Sequence, residues 1–277
     1  MRLHWGARTD RGLVRTLNED AVVAQPPVFL VADGMGGHAA GEVASALVAE
    51  SFGRLAAEAT TTGGTRSVPA ESVLSTIDSV NGRILQHGRV NPGSAGLGTT
   101  VSGVVVVDNG GAAELLAFNI GDSRLYRARG GDMVQVSVDH SAAQELVDDG
   151  VLDPDAARLH PSRHVVTRAL GSEPAPQPDL WFITPEAGDR YVLCTDGLSG
   201  EVPDAELAGA VRTADDPDAL AQALVDLALR HGGRDNVSVV VLDVLEPADG
   251  PEEDTSPRDG TGTAVLEQVP EESTLPR

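Results

Sequence analysis

Acidic residues stand at the ends of strand-like runs at several points in this chain of 277 residues. VFLVAD (28–33) stops at Asp33-Gly34, LLAFNIGD (115–122) at Gly121-Asp122, and YVLCTD (191–196) at Asp196-Gly197. HGGRDN (231–236) sets Asp235 just ahead of a Val-rich run, and Glu19 and Asp20 precede AVVA. A strand fixes where its end points, and glycine lets backbone or ligand approach closely. Carboxylates brought together in this way repel one another unless a hard cation lies between them. Oxygen donors without thiolates suit Mg²⁺ or Mn²⁺. One Asp-Gly after a strand is ordinary turn chemistry; the number and order of these positions carry the reading.

The elements that must position them alternate irregularly. Val43, Leu47, Val48, Phe52 and Leu55 recur at helical spacing over about 39–55. Residues 59–68 read as a Thr/Gly loop, and Pro69 opens a second helix with Val73, Ile77 and Ile84 on one side. TTVSGVVVV (99–107), AELLAFNI (113–120), SRLYRAR (123–129) and MVQVSV (133–138) are joined by the hairpin turns DNGG and RGGD and read as one antiparallel meander. A short helix near 142–149, a Pro/His/Arg loop (154–166), the strands LWFIT and RYVLCTD, helices near 203–211 and 217–231, and a last strand NVSVVVLDVL follow. Antiparallel blocks with helix pairs between them predict an α+β sandwich. A fingerprint-like Gly34-x-Gly36-x-x-Ala39 follows a strand, but antiparallel neighbours and Asp33 facing a pyrophosphate speak against dinucleotide binding.

Composition excludes several classes. All 20 basic residues are arginine, against 42 Asp and Glu, for a net charge of −22. Without lysine there is no Walker A loop, no protein-kinase site and no Schiff-base chemistry. The single cysteine, Cys194, forms no intrachain disulfide or cysteine zinc cluster, and a reducing cytoplasmic setting fits. With Gly200 rather than arginine six residues on, Cys194 lacks a tyrosine-phosphatase loop and is expected in a buried strand. No apolar run reaches the ~18 residues of a membrane span, and MRLHWGARTD lacks a signal-peptide core. The negative charge and 3% aromatics argue against nucleic acid. From Glu246 the chain turns acidic and rich in Pro, Gly, Ser and Thr, so 1–245 is expected as the folded domain and 246–277 as a disordered acidic tail. Its hydroxyls, such as Thr255 and Ser273, are candidate kinase targets.

Read in order, RTLNED (15–20), DGMGGHAAGE (33–42), GTTV (98–101), NIGDSRLY (119–126), DHS (139–141), TRALG (167–171), CTDGL (194–198) and GGRDNVSVVV (232–241) resemble the metal-dependent protein phosphatases of the type 2C (PPM) family, bacterial branch, over about residues 10–244. The resemblance implies a four-layer α-β-β-α sandwich of two mainly antiparallel sheets flanked by helix pairs, with a flap near 141–166 beside the metals; the Pro, Gly and charged content of that segment leads to the expectation that it gates protein substrates. It implies hydrolysis of phosphoserine and phosphothreonine on proteins by a water or hydroxide that bridges two divalent metals, Mn²⁺ or Mg²⁺, and attacks phosphorus in line. Asp33 would bridge the metals, the Gly34 carbonyl would ligate one, and Asp196 and Asp235 would complete a shell. Glu19 and Asp20 would hold metal-bound waters, and Asp122 would help hold a third, weaker ion. Arg15 would grip the phosphate, and Asn236 would support the site.

Eukaryotic members read Asp-Gly-His, whereas here Met35 follows and His38 comes three residues later, as a candidate general acid. His140, His160, His164 and His231 are expected to be structural. The implied partners are phosphoproteins, with a Ser/Thr kinase and its substrates, for a cytoplasmic monomer with neither nucleic acid nor membrane. The competing readings are a pseudophosphatase that binds phosphoproteins and a specialised phosphatase of a transcription regulator.

Overall fold

The computed structural model describes residues 1–36, 40–62, 64–94, 96–109, 112–157 and 160–247. The chain opens with β1 (Arg2–Asp10), β2 (Asp20–Gln25) and β3 (Val28–Met35), then α1 (Ala40–Glu58), a short pair β4 (Thr60–Thr62) and β5 (Thr65–Pro69), and α2 (Ala70–Val90). The two-residue β6 (Gly98–Thr99) leads into β7 (Val101–Asn109), β8 (Ala112–Ile120), β9 (Arg124–Arg129) and β10 (Asp132–Gln135). After α3 (Ala142–Asp148) and α4 (Pro154–Ala157) come β11 (Asp179–Ile183), β12 (Arg190–Cys194) and the single turn α5 (Asp196–Ser199). The last elements are α6 (Asp204–Thr213), α7 (Pro217–Arg230) and β13 (Val237–Glu246).

Alternation along the strands builds the layers. In β3, Val28, Leu30 and Ala32 pack with Val48 and Phe52 of α1 and with Ile77 and Ile84 of α2. Phe29 and Val31 face the other way, against Tyr191, Leu193, Val240 and Leu242. In β13, Val237, Val239 and Val241 join Leu207 of α6 and Leu220 and Leu224 of α7. Each fully buried side chain of this size contributes about 1.5–3 kcal/mol. One sheet runs β1-β13-β12-β9-β10 and the other β11-β8-β7-β3-β2, with a helix pair outside each. The result is the α-β-β-α sandwich.

Three details differ from the sequence reading. Residues 59–68 are not a plain loop: β4 and β5 pair, and β5 adds to β7 in parallel, Val68 opposite Val107. Threonine, β-branched, suits such an edge. The four strands from 99 to 138 are not one meander. The β7–β8 hairpin belongs to one sheet and β9–β10 to the other, and the chain crosses between them at residues 121–123. β1 was not expected; Leu3, Trp5 and Ala7 alternate inward against the inter-sheet core. Cys194 lies in β12 and is fully buried, as expected, and burial pushes its thiol up to about 12. The acidic tail beyond Pro247 lies outside the described residues.

Within the DHS motif, Ser141 caps α3 by accepting from the Gln144 N–H at 3.3 Å. His140 is buried, accepts the Gly121 N–H on Nδ1 at 3.0 Å and meets Asp179 through Nε2 at 3.1 Å. This is a neutral ring with its proton on Nε2, and burial, then the nearby Arg168 charge, hold its pKa below the usual value. A histidine depressed on folding stabilises the fold fully above its unfolded pKa of about 6.5 and loses that contribution as pH falls through it. His140→Gln is therefore expected to cost about 1–3 kcal/mol at pH 8, where the Gly121 N–H loses its acceptor. The gap between variant and wild type should narrow at pH 5.5 in paired urea melts; an equal gap at both pH values would sink this role.

Candidate active site

The antiparallel registers bring the acidic residues to one end of the sandwich. β2 begins where β3 ends, with Asp20 directly opposite Asp33. β12 ends where β13 begins, with Cys194 opposite Val239, so Asp196 and Asp235 flank that pair of strand ends. The crossover between sheets leaves Asp122 at the same end. Arg15, Glu19, Asp33, Gly34, Asp122, Asp196 and Asp235 thereby line a single cavity of about 560 Å³.

Hydrogen bonds hold this frame. Asn236 accepts the Glu19 N–H on Oδ1 at 2.8 Å and donates through Nδ2 to the Arg11 and Leu17 carbonyls at 2.9 and 2.8 Å. It ties the loop carrying Arg15 and Glu19 to the start of β13. Thr100 Oγ1 accepts the Asp33 N–H at 3.0 Å, and Thr195 Oγ1 donates to Asp20 Oδ2 at 2.9 Å. The Gly34 N–H donates to the Glu19 carbonyl at 3.1 Å. Two glycines permit the close approaches: a Cβ on Gly34 would lie 2.2 Å from the Gly41 carbonyl oxygen, and one on Gly197 1.8 Å from that of Asn236.

Electrostatics make the cavity costly without a cation. Burial pushes the Asp20 carboxyl up to about 7, opposed by hydrogen bonds from Ser238 and Thr195 and reinforced by Asp196 and Asp235. Burial and then Asp196 and Asp139 push Asp122 to about 7. Asp33 rises well above the carboxylate range through burial and repulsion from Asp20, Asp196, Asp122 and Asp235. Asp196 goes the other way: burial is outweighed by its hydrogen bond and charge pairing with His164. Asp20 Oδ1 is buried without a hydrogen-bond partner among the described residues. An orphaned carboxylate oxygen beside mutually repelling carboxylates fits a hard divalent ion. Among the described residues no three His, Cys, Asp or Glu side chains form a ready-made cage, so backbone carbonyls and waters would have to complete any shell.

The structure places Arg15 at the rim, half exposed, with Nη2 2.6 Å from Asp235 Oδ2. Asp20, opposite Asp33 in the register, is not among the residues lining the cavity, and its Oδ2 accepts from Thr195. His38 lies outside the described residues. His164 corrects the reading of it as merely structural: it lines the cavity, with Nδ1 3.2 Å from Asp196 Oδ2. Arg163, Arg234 and Thr100 also line the cavity, with no role assigned to them from the sequence. The GTTV and GGRDNVSVVV runs contain Thr100 and Arg234, whereas Arg163 sits in a loop whose path no periodicity encodes. The base of the 141–166 segment is tied by a bridge between Ser141 and Val166, and its two short helices stand over a second cleft that shares Asp122, His164 and Asp196 with the first.

The family model for protein phosphatase 2C matches residues 14–231. Over 248 residues the chain is 40% identical to the serine/threonine protein phosphatase PstP of Mycobacterium tuberculosis; the match covers 88% of this chain and 45% of that protein, so the chain spans under half of that relative's length. The serine/threonine phosphatase stp of Listeria innocua is 32% identical over 249 residues, 87% of this chain and 96% of its own length. The crystal structure of the Mycobacterium tuberculosis phosphatase PstP/Ppp superposes with a TM-score of 0.80 at 39% identity, covering 88% of this chain and 99% of that one. The catalytic domain of PstP, solved in complex with two manganese ions, gives a TM-score of 0.77 at 38% identity and covers 88% and 99%.

Proposed function

The chain belongs to the protein phosphatase 2C family, and from that membership and the geometry of its carboxylate cavity we propose that it hydrolyses phosphoserine and phosphothreonine on proteins, with divalent metals. The convergence of Asp33, Asp196, Asp235 and Arg15 on one cavity carries the reading. Asp33, Asp196, Asp235 and the Gly34 carbonyl would hold two ions, with Glu19 and Asp20 holding their waters and Asp122 a third ion. Mn²⁺ or Mg²⁺, when bound, supplies charge neutralisation and activation of water as a nucleophile. Arg15 offers five donors in a planar fork, one of them on Asp235, and such a fork suits the oxygens of a phosphate monoester. It also gives local positive charge on a protein whose net charge of −22 repels the substrate. Asn236 keeps the Arg15 loop in register with Asp235. On this reading the partners are phosphoproteins and the Ser/Thr kinase that makes them, the chain works as a monomer, and its compartment is the cytoplasm. No helix among the described residues is long and apolar enough to cross a membrane.

The test is phosphate release from a phosphothreonine peptide with Mn²⁺, with Mg²⁺ and with EDTA. Release with metal that EDTA abolishes is the expected result. Folded protein that releases nothing with either metal is instead a phosphoprotein-binding module. Mn²⁺ at about 100 times its dissociation constant should also stabilise the fold by about 2.7 kcal/mol, which raises Tm by roughly 5–11 °C. A Tm indifferent to Mn²⁺ and EDTA would remove the metal from the account.

A further inference from the structure

Arg15 lies in a stretch whose backbone is anchored while its apolar side chains point outward. The Leu13 N–H donates to the Gly233 carbonyl at 2.7 Å, and Asn236 holds the Leu17 carbonyl at 2.8 Å. Between these ties Leu13, Val14 and Leu17 are 67%, 65% and 45% exposed. Single exposed aliphatic residues are ordinary on any surface. Three among five consecutive residues, on either side of the Arg15 that lines the carboxylate cavity, form a patch of the kind that marks an interaction site. Elsewhere on the rim, Val165 is 53% exposed beside His164, which lines the cavity.

We propose that this apolar lip seats the residues flanking the phosphorylated side chain, so that the protein selects phosphopeptides carrying an aliphatic residue within two positions of the phosphothreonine or phosphoserine. The inference rests on the phosphatase reading of the cavity. Its geometry follows from chain dimensions. A phosphate on Arg15 lays the peptide across residues 13–17, and two residues of extended peptide reach about 7 Å. Leu13 and Leu17 each stand two residues from Arg15, within the same reach. Arg15 is the one charged residue of that stretch; the other arginines lining the cavity lie outside it, and Arg234 is already paired with Glu201 at 2.6 Å. An acidic flank is further opposed by the net charge of −22.

The experiment compares two phosphothreonine peptides that differ only in having leucine or serine at the two positions on each side, with Mn²⁺, in wild type, in Leu13→Ser/Val14→Ser and in Leu245→Ser. Wild type should favour the leucine peptide about tenfold in kcat/KM, equal to about 1.4 kcal/mol, as partial burial of an aliphatic side chain supplies. In the double variant the ratio should fall below about twofold. Leu245 is also exposed, at the far end of β13, about 30 Å of strand from the cavity, and Leu245→Ser should keep the ratio. A wild-type ratio near one, or a preference that persists in the double variant, overturns the proposal. So does a wild-type dimer in sedimentation that the double variant dissolves without any change in ratio; the lip then belongs to a second copy. p-Nitrophenyl phosphate has no flanking residues. Its hydrolysis without discrimination between the peptides overturns the lip alone, whereas no hydrolysis of any substrate overturns the phosphatase reading with it.

Discussion

Asp33→Asn/Asp196→Asn is expected to lower Mn²⁺-dependent phosphate release by about 10³-fold or more. Asparagine keeps the volume and one oxygen of each side chain but removes the charge, and the loss of several kcal/mol of metal-supplied stabilisation corresponds to at least three decades of rate. The Asp33 change carries an opposite expectation for stability. Asp33 is raised well above the ordinary carboxylate value by burial and by four neighbouring aspartates. A group raised on folding favours the native state below its unfolded pKa and loses that contribution as pH rises, so at pH 8 the ionised Asp33 is a burden on the metal-free fold, whereas Asp196, held low by His164, supports it. Metal-free Asp33→Asn alone should therefore melt no lower than metal-free wild type at pH 8, while the double variant also gives up the Asp196 contact with His164 and gains no Tm from Mn²⁺. Retention of a tenth of the wild-type rate in a purified sample would exclude these residues from the centre of the chemistry.

Gly197→Ala is expected to produce the largest structural effect of any one-carbon change near the site. The added Cβ would stand 1.8 Å from the Asn236 carbonyl oxygen and 2.8 Å from its carbon. Both are backbone atoms, so α5 must move away from the start of β13. Asp196 precedes Gly197 and Asp235 precedes Asn236, so the same shift separates two proposed ligands of one metal. Overpacking of this kind costs about 3 kcal/mol, which lowers Tm by roughly 6–12 °C, and the Mn²⁺ needed for half-maximal activity should rise more than about tenfold. Gly209→Ala is the matched control. It lies within α6 with nothing inside 4 Å of its Cβ, so alanine there should stabilise by about 0.5–1 kcal/mol. Wild-type melting and metal dependence in Gly197→Ala would show that the strand ends are more yielding than this geometry states.

Much of this arrangement is written locally. VFLVAD and YVLCTD are short apolar runs that stop at Asp-Gly, so the strands and the carboxylates at their ends could be read together, and the helix pairs followed from spacing at 3.6 residues. What escaped is set by tertiary contact. β1 mixes Arg, His and Thr with Leu3, Trp5 and Ala7, and its alternation shows its meaning only against β13. The Thr-rich segment near residue 65 becomes a strand because the edge of β7 offers Val68 a partner in Val107. No periodicity tells that the chain changes sheets between Ile120 and Arg124, since either allotment satisfies the same pattern. The place of His164 is hidden for a related reason: it sits in a long segment between β10 and β11, where no strand end aims it, and only the folded chain brings it to Asp196.

The partnership of β1 with β13 also sets a clock. The first and last strands among the described residues lie side by side, with Arg2 opposite Glu246 and Thr9 opposite Ser238. A ribosome adding about 5–20 residues per second leaves β1 waiting roughly 10–50 s for its neighbour. Pairing at such sequence separation is slow to nucleate even afterwards. Until Asp235 and Asn236 have emerged, Arg15 has no carboxylate to rest on and Glu19 no amide to hold it. A nascent chain thus lacks the assembled carboxylate cavity until synthesis of the sandwich finishes.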